Sequence, residues 1–140
     1  QGNDFSALKA NLPAMRVDYG TGNLFRENKV SVDPTRTVEL LENGNLARTA
    51  PIIQSATAYR VAGSACAGCL VEVYAQTSAG TISAGTALAD AQGRFAFQTC
   101  VAFEGKKVSA LATDPAGNTS PFAALHSITA DAADKPAACP

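Results

Sequence analysis

The residues able to do chemistry are four cysteines, one histidine and a scatter of carboxylates. The cysteines stand at Cys66, Cys69, Cys100 and Cys139. An even number in a chain rich in Ser, Thr, Gly and Ala suits disulfides formed in an oxidising compartment. Three pairings are open, and Cys66–Cys69 with Cys100–Cys139 is the expected one. Loop closure alone would then stabilise by about 2 kcal/mol for the short loop and about 4 kcal/mol for the long one. The long bridge would tie down the tail from Ala130 to Pro140, which has few large apolar residues of its own. Zinc needs a second close pair of ligands, and only His126 remains to offer one. Redox chemistry at Cys66-Ala-Gly-Cys69 needs a helix start within a βαβ unit. Here the motif lies between two strand-like runs.

A single histidine gives no compelling Ser-His-Asp or Cys-His pair, so His126 is read as structural or superficial. The carboxylates Asp18, Asp33, Glu39, Glu42, Glu72, Asp90 and Asp114 are dispersed. Glycosidase or lyase chemistry needs acids that converge, and catalysis is not expected. Asp90, and Asp114 with Asn118, offer oxygens of the kind calcium prefers. Each turn alone has too few, and the same residues serve as Asx turns. No metal or other cofactor is expected. Asn118-Thr-Ser120 matches the N-glycosylation pattern and falls in an expected exposed turn.

The elements that must position these groups read as β-structure. The chain has 140 residues, and 46% are hydrophobic, enough for one core. Much of that fraction is alanine, so the core should be thin. The net charge of −1 gives no reason to expect nucleic acid or an anionic membrane as partner. No apolar run is long enough to span a bilayer. Gln1 opens the sequence without an apolar leader, which suits a mature form after signal removal.

Helical periodicity is confined to Asp4–Met15, cut by Pro13. From Pro51 the chain reads as short strands between turns. Ile52–Thr57 is an edge strand and Tyr59–Gly63 a second run. Leu70–Gln76 alternates, with Val71, Val73 and Ala75 inward and Glu72, Tyr74 and Gln76 outward. Ser78–Gly85 reads as a loop of small residues. Asp90-Ala-Gln-Gly93 is a hairpin-type turn before Phe95 and Phe97. Lys106–Thr113 is a strand with Val108, Ala110 and Ala112 inward. Asp114–Asn118 is a turn, and Thr119–Ile128 closes the fold. The expected class is an all-β, immunoglobulin-like β-sandwich preceded by a short β-helix-like or extended arm. The expected divisions are an arm at 1–50, a sandwich at 51–129 and a tethered tail at 130–140.

Residues Gly63–Tyr74, Ala89–Phe95 and Val108–Phe122 resemble the immunoglobulin-like modules of bacterial surface proteins. The last stretch, with its aspartate-to-asparagine turn followed by Thr-Ser, carries most of the likeness. Such modules often follow a right-handed parallel β-helix, and the resemblance implies one upstream. Gly22–Val30 looks like one of its rungs, with asparagines stacked at the corners. Glu39–Asn45 looks like the exit from the last rung.

A single rung leaves open N–H and C=O groups on both sides. The sandwich, the Asp4–Met15 segment or another copy of the protein must cover them. The expected function is therefore a structural subunit of an extracellular filament or surface layer. It would assemble with copies of itself through an arm whose apolar residues are Leu24, Phe25, Val30, Val32, Val38 and Leu40. One alternative is an adhesive or carbohydrate-binding surface module, with Tyr59 and Tyr74 as its exposed aromatics and surface glycans as partners. Another is an accessory fragment of a polysaccharide-degrading β-helix enzyme.

Overall fold

The computed structural model describes residues 3, 14–30, 33–35, 37–129 and 134–140. Nine strands are found among them. The arm contributes β1 (Met15–Val17) and β2 (Val38–Leu40), which pair in parallel with Met15 opposite Val38. A short 3-10 turn at Gly44–Ala47 follows. The remaining strands are β3 (Ile52–Ala56), β4 (Arg60–Ser64), β5 (Leu70–Thr77), β6 (Gly80–Leu88), β7 (Arg94–Gln98), β8 (Lys107–Thr113) and β9 (His126–Ser127). They form two antiparallel sheets, ordered β3-β4-β7 and β6-β5-β8-β9. The all-β sandwich expected from the sequence is the observed class. Most of the expected helix Asp4–Met15 lies outside the described residues, and its last residue opens β1.

Alternation explains the first core. Val71 and Val73 of β5, Val108 and Ala110 of β8, and Phe95 and Phe97 of β7 all point between the sheets, where they meet Ile53 and Val61. Burying each large side chain stabilises by about 1.5–3 kcal/mol.

The expected loop at Ser78–Gly85 is instead largely strand β6, joined to β5 by a tight turn at Thr77–Gly80. Small residues gave it no amphipathic signature. Gly85 shows why they are small. Its φ is +146°, and a Cβ there would stand 2.7 Å from the Phe97 ring. The Asp90–Gly93 turn also differs from a hairpin turn, because it carries the chain from β6 in one sheet to β7 in the other. The closing segment Thr119–Ile128 contains only the two-residue β9. Before β9 it follows β8 through Ser120 N–H to Ala112 O, Ala123 N–H to Ala110 O and the Ser109 hydroxyl to Ala123 O. Pro121, which has no N–H, interrupts a regular ladder there.

The largest correction concerns the outward face of β5. Glu72 is 3% exposed and Tyr74 is 0% exposed, so the strand is buried on both sides. The arm is the cover. Met15, Val30 and Val38 pack with Tyr74, Leu111 and Phe122 in a second core, joined at its margin by Phe25 and Leu40. Val30 also exchanges both backbone hydrogen bonds with Thr81 of β6.

Candidate functional site: the junction of arm and sandwich

The polar groups of the molecule converge where the arm meets the sandwich. Gly22-Asn-Leu24 and Gly44-Asn-Leu46 repeat the same three residues, and Asn23 and Asn45 lie 22 apart. Parallel pairing of β1 with β2 stacks these corners. The Asn45 Oδ1 accepts from the Asn23 backbone N–H at 3.0 Å and from its Nδ2 at 3.1 Å. The Asn45 Nδ2 donates to Asn23 O at 2.8 Å and to Thr119 O at 3.0 Å. Thr119 continues the stack into the sandwich. Its N–H donates to Asn23 O, and its hydroxyl accepts from the Phe25 N–H. On the other side, Asn3 N–H donates to Asn28 Oδ1 and Lys29 N–H donates to Asn3 O.

The Asp114–Asn118 turn forms the sandwich half of this corner. The Asp114 Oδ1 accepts from the backbone N–H groups of Ala116 and Asn118. Asn118 Nδ2 donates to both carboxylate oxygens, and the Arg48 guanidinium lies 2.7 Å from Oδ2. Burial opposes the Asp114 charge most strongly, but these donors and Arg48 outweigh it and hold the carboxyl below its ordinary range. With its oxygens so engaged, Asp114 forms an Asx turn. Asp90 likewise accepts from the N–H groups of Gln92 and Arg94, and from Arg94 Nε. Backbone bonding from Arg94 is the leading cause of its lowered pKa. Among the described residues, no three or more metal-binding side chains cluster.

Asn118 is only 1% exposed, and its Oδ1 accepts from the Gly22 N–H at 2.7 Å. The turn around this glycosylation pattern is exposed at Pro115 and Ala116, but Asn118 itself is buried. Its amide is committed within the fold.

A second polar contact fastens the arm to β5. Glu72 Oε2 accepts from the Tyr74 hydroxyl at 2.6 Å, and Oε1 accepts from the Ser83 hydroxyl at 2.9 Å. Both oxygens face the backbone N–H of Glu27 in the arm. Burial, then the Glu72 bond, pushes the Tyr74 phenol far above its usual range.

The residues assigned to an assembly arm are mostly spent on this junction. Val30 and Val38 are buried, Phe25 and Leu40 are half-buried, and Leu24 is exposed. Val32 lies outside the described residues. The aromatic pair expected on a glycan-binding surface is not one, because Tyr74 is buried and Tyr59 is half-buried. Both expected disulfides are present, Cys66–Cys69 and Cys100–Cys139.

Sequence reasoning missed Arg48, the Glu72–Tyr74–Glu27 contact and the arm's cover of β5. The repeated Gly-Asn-Leu was the available signal for the Asn23–Asn45 stack, since it marks equivalent corners. Nothing local marks Arg48 as the partner of Asp114.

Two packed antiparallel sheets, crossed by the Asp90 turn and closed along β8, define an immunoglobulin-like sandwich. The bacterial Ig domain family matches residues 47–130. That is more than half of the chain, which belongs to this family. No curated protein matches it. Bacterial Ig-like modules and the two disulfides point to an extracellular setting. No helix among the described residues is long and apolar enough to cross a membrane.

Proposed function

We propose that the chain is a structural module of a bacterial surface or secreted protein that assembles through its arm by stacking parallel turns. The observation behind this reading is the Asn23–Asn45–Thr119 stack. Each turn offers the next a donor and an acceptor, and the sandwich supplies the final partner. One end of the stack is therefore closed by the fold. The other end is β1. Met15 N–H and Val17 O are used on the β2 side, so the backbone of Arg16 faces the opposite edge. A parallel strand added there continues the ladder, whether it belongs to a β-helix turn or to another copy.

Self-association of copies at this edge, giving a filament or surface layer, is the specific form of the proposal. Light scattering after size exclusion, over a wide concentration range, tests it. Reversible growth in mass that Arg16→Pro suppresses is the expected result. The mass of one chain at every concentration would rule out self-assembly and leave a surface or adhesive module.

A further inference from the structure

The Cys100–Cys139 bridge spans a sequence separation of 39. The loop it closes contains β8, β9 and most sandwich groups on which the arm is seated. Asp114, Asn118 and Thr119 lie inside it, as do the apolar Leu111 and Phe122. From β9 onward the chain is otherwise lightly held. β9 meets β8 over two residues. Beyond it, Ile128 N–H donates to Lys106 O and Thr129 N–H to Ala56 O. Among the described residues, the tail 134–140 bonds within itself, Cys139 N–H to Pro136 O and Lys135 Nζ to Pro140 O. The bridge carries this tail to Cys100, just past the end of β7, and all five residues of β7 are paired with β4.

We propose that the Cys100–Cys139 bridge is a mechanical shunt, which routes tension at the C-terminal side into β7 and keeps residues 101–138, with the Asp114, Asn118 and Thr119 side of the arm junction, out of the covalent load path. A two-residue ladder pulled from its end yields one hydrogen bond at a time, and each adds little by itself. Without the bridge, tension would lift Thr129, then β9, and then the segment whose Ser120 and Ala123 bond to β8. That segment begins at Thr119, the seat of the asparagine stack. With the bridge, residues 101–138 carry no tension. The inference concerns load and does not depend on what the module binds or whether it self-assembles.

Single-molecule stretching of the full chain, held by handles at residue 50 and residue 140 so that the arm itself is not pulled, tests this. The same molecules are stretched before and after reduction in place. Cys100→Ser/Cys139→Ser, which retains Cys66–Cys69, separates the two bridges. Bridged chains are expected to show no partial event before the sandwich unfolds. Their extension should fall short by about 130 Å, taking about 3.4 Å for each of the 39 residues. Unbridged chains should show an additional, earlier event at lower force as the C-terminal segment peels away. An early event in bridged chains would overturn the proposal, as would unbridged chains that unfold in one step at unchanged force. Unbridged chains that are already unfolded by circular dichroism at rest would overturn it too, since the bridge would then serve folding itself.

Discussion

Asn45 does more for this fold than its size suggests. It is fully buried and satisfies groups in Asn23 and Thr119 at once. Asn45→Ala leaves a buried carbonyl and a buried N–H without partners, which should cost about 2–3 kcal/mol. Urea denaturation of the two proteins measures this, and Thr49→Ala at a nearby exposed position should change little. Two titrations belong to the same scale. Asp114 has a folded pKa below its unfolded value of about 3.9, so its stabilisation is present above that pH. It is lost as pH falls through the lower folded value. Tyr74 has a folded pKa raised above its unfolded value of about 10, so its stabilisation is present below that pH and lost as pH rises beyond it. Denaturation midpoints should therefore fall at both extremes. Asn118→Ala should reduce the acid dependence, and Tyr74→Phe should remove the Tyr74 part of the alkaline loss.

At the scale of elements, legibility followed side-chain size and range. Phe95 and Phe97, and Val71 and Val73, announced their strands because large residues alternating with polar ones leave a period of two. β6 carried no such mark. Its Gly85 lies against the Phe97 ring because it is small, and a run of Gly, Ser, Thr and Ala looks like a loop. The alternation of β5 showed which residues share a face but not that both faces are covered. The cover comes from residues far upstream, which no local pattern reveals. The asparagine corners were visible, yet their partner Thr119 is set by topology, as is the pairing of Arg48 with Asp114. Gly85 offers a test at this scale. Gly85→Val should press on the Phe97 ring and strain a positive φ, costing about 1–3 kcal/mol. Thermal unfolding should show a lowered Tm, with the circular dichroism of the folded sheet retained.

For the whole molecule, the arm and the sandwich form one unit with two cores. The first lies between the sheets, and the second lies between β5, β8 and the arm. Native-state hydrogen exchange on the intact chain measures this most directly. The amides of Asn23, Phe25, Glu27 and Val30 bond to the stack or to the sandwich. They should open with nearly the same free energy as the β5 and β8 amides, through unfolding of the whole. Arm amides that exchange at unprotected rates while β5 and β8 stay protected would contradict a single cooperative unit and detach the arm from the sandwich.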